Sequence, residues 1–371
     1  MKESWEYRLF ESCLVKVPKQ IQIKSKDYKS IGRFPIVSQE AELISGYWDD
    51  ESIVYKHKEP IIIFGDHTKN IKYIDFDFVV GADGTHILST KNDIIPKYFY
   101  YALKSIKLRE LGYARHYKLL KEKSIPIPPL SEQQSIVAYL DSAFAKIDTM
   151  KANAEKALNE AKALFQASLK EMLEPKEGWT TSTLKDECYK ITDGTHQTPK
   201  YYPSGYIFLS SKNVTSRKID WENVKYIDES QQQIMHQRVA PKVGDILLAK
   251  NGTTGVAAMV DRDIIFDIYV SLALLRSKGN VTPEYLLTFV NSPIAKEQFN
   301  KRLIGMGVPN LHLGEINQVV ITYPKDKREQ AKMTQRIEEL DNLIIRLQSN
   351  FDKITQECDA LKQAILRQVF E

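Results

Sequence analysis

SIPIPPLSEQQSIVAYLD (residues 124–141) and QVVITYPKDKREQAKMTQRI (318–337) carry one pattern twice: an apolar strand, a proline, then a Glu-Gln pair heading a long helix. The repeat extends backwards from both. GTHILSTKNDIIPKYFYYAL (84–103) answers VSLALLRSKGNVTPEYLLTFV (270–290), each an apolar strand, a polar turn, a proline and a helix with tyrosine two residues after that proline. PIIIFGD (60–66) answers DILLAKNG (245–252) as a short buried strand running into a glycine turn, and Trp5 with Phe10 answers Trp179 with Leu184. An offset of roughly half the chain describes two copies of one frame.

The helices after the two prolines set the architecture. Past Pro129, Ser131 is placed to cap and Gln134 to complete a capping box, and no proline or glycine follows until Pro175. Ile136, Leu140, Ala143, Ile147, Met150, Ala154, Ala157, Ala161, Leu164 and Ser168 fall at an alternating four-three spacing. Met333, Ile337, Leu340, Ile344, Leu347, Phe351, Ile354, Cys358, Leu361 and Ile365 repeat the rhythm. A sustained period of about 3.5 predicts a left-handed coiled-coil seam. Roughly 43 residues at 1.5 Å each make a rod of about 64 Å. Small residues on the first helix opposite larger ones on the second suit mutual pairing, and two equivalent halves favour the antiparallel form. Pairing with the helices of another molecule is the alternative.

The expected fold class is therefore α/β: two globular domains joined by two long helices that form an antiparallel intramolecular coiled coil, with an internal pseudo-two-fold repeat. The expected boundaries are 1–130 for the first domain, 131–174 for the central helix, 175–325 for the second domain and 326–371 for the C-terminal helix. Ile61–Phe64, Phe76–Val80, Ile207–Leu209, Ile246–Leu248 and Ser271–Leu275 read as strands between Gly, Asn and Asp turns.

Composition narrows the function classes. With 43% hydrophobic and 27% charged residues the chain reads as an ordinary globular protein. No stretch approaches the ~20 apolar residues of a membrane span, and MKESWEYRLFE has no leader character. Cys13, Cys188 and Cys358 are too scattered for a disulfide framework or a zinc cluster, which suits a reducing cytoplasm. A net charge of +4 is compatible with nucleic acid without requiring it. No GxGxxG follows a strand, no glycine-rich loop ends in Gly-Lys-Ser/Thr, and no Asn-Pro-Pro-aromatic loop appears. The histidines 57, 67, 86, 116, 196, 236 and 312 lack HExxH or Cys/His spacing. Asp66 with His67, and Asp83 with His86, are the one pairing of types that could hold a metal. No catalytic residue and no metal site is expected.

Polar, turn-rich loops are the candidate DNA contacts. In the second copy these are His196 and Gln197 in DGTHQT, Lys212 and Asn213 in SSKN, then Arg217 and Lys218, and Lys250 with Asn251. In the first copy His67 and Lys69 lie in the turn matching Lys250-Asn251-Gly252. Tyr113, Arg115, His116, Tyr117 and Lys118 mix stacking or donor groups with positive charge. Two frames with unlike loops would read two unlike half-sites.

On these residues the chain resembles the specificity subunits (HsdS) of type I restriction-modification systems. The likeness runs over essentially the whole length. Its specific parts are the doubled proline and Glu-Gln junction, Trp5 and Trp179 opening the copies, DGTHQTPKYYPSGYIFLSSKNV, and DILLAKNGTTG. The second junction departs, with Lys-Asp-Lys-Arg where the first has Leu-Ser. The resemblance implies two target-recognition domains, each reading half of a bipartite double-stranded DNA target, with the helices fixing the gap. It implies two methyltransferase subunits that methylate adenine N6, and two ATP-dependent restriction subunits. S-adenosylmethionine, ATP and magnesium would then sit on those subunits, and this chain would be non-catalytic with no cofactor of its own. A methylation-only or other phage-defence complex, or a protein-only coiled-coil scaffold, are the competing readings. A self-sufficient enzyme would need catalysis by the chain alone.

Overall fold

The computed structural model describes residues 5–109, 115–214, 217–252, 254–303 and 310–371. The chain divides into two compact units, one of residues 1–154 with 351–371, the other of residues 155–350.

The first unit contains β1 (Glu6–Leu9), β2 (Leu14–Val15), β3 (Gln22–Ile23), β4 (Phe34–Val37), β5 (Gly46–Trp48) and β6 (Val54–Tyr55). There follow β7 (Ile61–Gly65), β8 (Ile71–Ile74), β9 (Phe78–Gly81), β10 (Thr85–Thr90), α1 (Pro96–Ser105), α2 (Tyr117–Lys121), β11 (Ser124–Ile127) and the start of α3 (Leu130–Leu173). β1 pairs with β11, and a four-stranded sheet has the order β2-β10-β7-β8. A mixed sheet sets β4 parallel to β9 and antiparallel to β5.

The second unit has β12 (Thr180–Thr183), α4 (Leu184–Glu187), β13 (Cys188–Asp193), β14 (Tyr206–Leu209), β15 (Lys225–Ile227), α5 (Glu229–Arg238) and β16 (Ile246–Ala249). Next come β17 (Ala257–Met259), β18 (Phe266–Ile268), β19 (Leu272–Ser277), α6 (Pro283–Val290), α7 (Pro293–Asn300), α8 (Leu313–Asn317), β20 (Val320–Tyr323) and α9 (Lys327–Phe370). Two sheets repeat strand for strand: β12 pairs with β20, and the four-stranded order is β13-β19-β16-β17. The mixed sheet keeps only its centre, β14 lying parallel to β18 and antiparallel to β15, without counterparts of β3 and β6 among the described residues.

The repeated tyrosines and glutamines explain the repeat. Tyr98 on α1 donates its hydroxyl to the Pro126 carbonyl at 2.7 Å, and Tyr285 on α6 does the same to Thr322 at 2.8 Å. Gln133 accepts from Ile95 N–H and donates to the carbonyls of Asp93 and Pro128. Gln330 accepts from Thr282 N–H and donates to Asn280 and Pro324. Both glutamines are fully buried, so each long helix is anchored to the turn before the short one. The expected Ser131–Gln134 box does not form. α3 starts at Leu130, its first turn bonds to the Pro129 carbonyl, and Gln134 is exposed. At the second junction Asp326 takes the place of Pro129, receiving Glu329 N–H and Gln330 N–H on its carbonyl. The two extra residues lengthen the connection while the Glu-Gln pair keeps its position in the helix.

The long helices pair within each unit, antiparallel. In the first, Leu140 and Phe144 near the start of α3 share a core with Leu366 and Phe370 at the end of α9. In the second, Phe165, Leu169 and Leu173 near the end of α3 meet Ile337, Met333, Leu340 and Ile344 near the start of α9. Ile147 is buried, while Ile136, Phe351 and Ile354 are half-buried. Five expected seam residues are corrected: Met150, Leu164, Leu347 and Leu361 are 60%, 69%, 42% and 47% exposed, and Ala157 is exposed too. Next to the three leucines Phe165, Gln348 and Lys362 turn inward instead. A 3.5 period fits either of two adjacent rows, and apolarity misleads where long polar side chains occupy one. Lys362 sets its ammonium over the Phe144 ring at 5.5 Å from the centroid and pairs with Asp148, and Lys162 donates to Gln348 at 2.6 Å.

Among the described residues no helix is long and apolar enough to cross a membrane.

Candidate nucleic-acid interface

In both units the candidate loops gather at one corner, where matching strands end. In the first unit β7 ends at Gly65 and the chain turns through Asp66–Thr68 into β8. A Cβ on Gly65 would lie 2.3 Å from Thr68 Oγ1, so only glycine fits the turn. Gln39, just after β4, fastens it: its carbonyl accepts from Thr68 Oγ1 at 2.6 Å and Asn70 Nδ2 at 2.9 Å, and its side chain accepts from His67 N–H.

Asp66 is the buried hinge of this corner. Its carboxylate accepts Tyr117 N–H at 2.8 Å and lies 3.4 Å from His86 Nε2 and 3.8 Å from Arg115 Nε. Its carbonyl accepts His116 N–H at 2.8 Å. His86 stacks on the Tyr117 ring at 3.9 Å and 7°. Asp66 thus meets His86, rather than Asp83 doing so, but its second oxygen is committed to the main chain. Among the described residues no three His, Cys, Asp or Glu group to hold a metal ion. His116 is buried and serves the hinge, a correction to its reading as a base contact. His67 and Lys69 are half-buried in the turn, Arg115 and Lys118 are exposed, and Tyr113 lies outside the described residues.

In the second unit Asp193 closes β13. Lys250 Nζ lies 2.9 Å away, Arg238 2.9 Å and His196 Nε2 3.2 Å. Burial alone would raise the carboxyl of Asp193, but Lys250 and His196 outweigh it and hold it below the usual carboxylate range. Lys250 is 5% exposed, so its charge faces this carboxylate rather than solvent. Main-chain bonds knit the loops together: Thr195 N–H to Ile268, Tyr269 N–H to Leu209, Lys250 N–H to Ser271. Gly194 permits this, because a Cβ there would sit 1.9 Å from the Ile268 oxygen.

His196, Gln197 and Lys212 are exposed at this corner. Asn213 is not: it is buried, completes a capping box with Ser210 and donates to the carbonyls of Asp220 and Asn223, so its role is structural. Asn251 bridges to Asn310, and the Oδ1 atoms of both are buried without a hydrogen-bond partner among the described residues. Arg217 is drawn away to Asp341 on α9 at 3.4 Å, leaving Lys218 exposed beside it. Arg238 and Gln39 belong to the corners and were missed, while His86, read only as a metal candidate, stacks on Tyr117 there. The polar Gln39 after an apolar strand was the one visible signal for these two.

A second buried pair lies on the mixed sheet. Asp267 is 1% exposed, with His236 of α5 at 3.4 Å. Burial pushes its carboxyl up to about 6, against the pull of His236. A raised folded-state value means stability is fully present below the unfolded value near 3.8 and is lost as pH climbs through about 6. Asp267→Asn is expected to exceed the parent in stability at pH 8 by on the order of 2 kcal/mol and to match it near pH 4. Urea unfolding at both pH values tests this; parallel pH profiles would exclude Asp267 as the titrating group.

The arrangement offers exposed cations, amides and imidazole on rigid hinges, which suits contact with a polyanion. The sequence profile described as type I restriction modification DNA specificity domain matches residues 4–160 and 176–355. The specificity subunit of type I restriction enzyme MjaVIII from Methanocaldococcus jannaschii is 28% identical over 286 residues, covering 69% of this chain and 66% of that protein. The EcoKI specificity subunit from Escherichia coli K12 is 24% identical over 266 residues, covering 67% and 57%. The chain thus spans less than two thirds of these curated relatives. In fold it is similar to a chain from a structural study of assembly and conformational transition of the type I R-M system, with TM-score 0.70, 17% identity and 99% and 97% coverage. It is also similar to the HsdS subunit from Thermoanaerobacter tengcongensis, with TM-score 0.52, 17% identity and 99% and 96% coverage. With two profile matches covering most of its length and two copies of one α/β frame on paired helices, this chain belongs to the type I restriction modification DNA specificity family.

Proposed function

We propose that the chain is a non-catalytic specificity subunit that reads a bipartite duplex target, one half-site per unit, and carries methyltransferase subunits to it. The doubled corner carries this reading: the matching strands β7 and β16 end there, and the exposed side chains beside them differ, Arg115 and Lys118 from the segment around the start of α2 in one unit, His196, Gln197 and Lys212 from the loops after β13 and β14 in the other. The relatives' designation as specificity subunits supports it. In this reading residues 1–130 and 175–325 are the recognition domains, and 131–174 and 326–371 are the spacer helices that set the gap. Two methyltransferase and two restriction subunits dock on this frame and bring S-adenosylmethionine, ATP and magnesium. The chain's own task is to hold the duplex while an adenine leaves the stack for methylation elsewhere.

Genome-wide adenine methylation, in cells with the chain and its adjacent methyltransferase gene against cells lacking only the chain, tests this. A split motif with a fixed gap, methylated only when the chain is present, is the expected result. Identical methylation in both, with the methyltransferase intact and expressed, would instead favour a protein-only scaffold.

A further inference from the structure

The first unit contains a groove of about 820 Å³ between the β7–β8 turn, the end of α1 and the end of α9. Lys69, Lys72, Lys104, Lys107 and Arg367 line it, against the single carboxylate side chain of Glu371. Even without Lys69, the cations Lys72, Lys104, Lys107 and Arg367 outnumber the one carboxylate side chain in the lining. Lys72 is the least ordinary of them. It is 6% exposed and donates to the Glu42 carbonyl, and burial lowers its ammonium against the opposing pull of Glu40 and Glu42. Among the described residues neither it nor Lys104, Lys107 or Arg367 forms an ion pair with a carboxylate. Cations in the last turn of a helix offset its C-terminal dipole, which accounts for Lys104 on α1 and Arg367 on α9. It accounts for neither the buried Lys72 on β8 nor Lys107 beyond α1.

We infer that this groove takes backbone phosphates of the DNA next to the half-site that the first unit reads. This rests on the reading proposed above. The groove begins at Lys69 and Asn70, in the turn that holds the candidate reading loop, so a duplex on that loop continues over it. Four of the five cations are lysines, point charges that neutralise phosphates without the fixed fork that arginine offers a carboxylate. Asn70, one Nδ2 hydrogen of which goes to the Gln39 carbonyl, adds its other amide hydrogen beside them. Such contacts set register and affinity and carry no sequence information.

The test replaces the exposed Lys104, Lys107 and Arg367 together by Gln in the full chain, assembled with its methyltransferase subunits. Affinity for the methylated-motif duplex and for a mismatched duplex is measured across a salt series. Both affinities are expected to fall by the same factor, about tenfold or more, and the salt slope to shrink by about 2–3. The methylated motif stays unchanged. Unchanged slope and affinities would overturn the inference while leaving the recognition role intact. Loss of methyltransferase subunits with an unchanged slope would also overturn it, making the occupant a protein segment. If the parent complex failed to prefer its motif, the recognition reading would fail, while the slope difference would still report on the groove.

Discussion

Gln133→Ala is expected to destabilise the first unit by about 3–5 kcal/mol, read as a fall in the urea midpoint of unfolding. The side chain is fully buried and makes three main-chain hydrogen bonds, from Ile95 N–H at 2.8 Å and to the carbonyls of Asp93 at 3.0 Å and Pro128 at 2.9 Å. Alanine leaves all three groups without that partner, at about 1–3 kcal/mol for each that stays dry. The Ile95 amide is the most exacting, since it heads α1 and Ile95 offers no side-chain cap. Gln134→Ala, one residue on and exposed, should cost less than about 0.5 kcal/mol. Equal losses in the two variants would remove the anchoring role from Gln133. The same contrast should hold for Gln330 in the second unit.

Asp193→Ala is expected to cost about 3–5 kcal/mol in the second unit, because it strands the nearly buried Lys250 ammonium. The double variant Asp193→Ala, Lys250→Met should recover part of that loss, since a buried pair is often replaced by apolar groups at little cost. A double variant as unstable as the two single losses combined would argue against the coupling. The pH sign is opposite to that of Asp267. The carboxyl of Asp193 is held low, so its stabilisation is present above the unfolded value of 3.8 and is lost as pH falls through the lower folded value. In the assembled complex, Asp193→Ala should also blur one half of the methylated motif and spare the other.

Sequence reading was most reliable where a pattern is local and periodic. The two long helices, the tyrosines after the prolines and the matching of β7 with β16 needed only spacing and hydrophobicity. The seam was half legible: the row through Leu140 and Ile147 is inward, but Lys362 and Gln348 take places that apolarity assigned to Leu361 and Leu347. The capping role was assigned one residue off, to Gln134, because a cap is a local signal while the Gln133 anchor depends on a turn 38 positions away. The corners were the least legible. His116 and Asn213 look like base contacts in a polar run, but hydrogen bonds made on folding bury them. Arg238 reaches Asp193 from across the unit, 45 positions along the chain, with no motif to announce it.

The first unit is built from two segments far apart in sequence. Its core holds Phe10 and Tyr98 together with Leu366 and Phe370, whereas the second unit is one uninterrupted segment, 155–350. During synthesis the order of completion is therefore the reverse of the order of translation. The second unit has its whole sequence when residue 350 has been made, while the first waits with an open hydrophobic face until the last turns of α9 arrive. This order is expected to invert the usual rule that earlier-made domains fold first. The newborn chain exposes apolar surface at the site that closes last, where a holding chaperone would have the longest time to act.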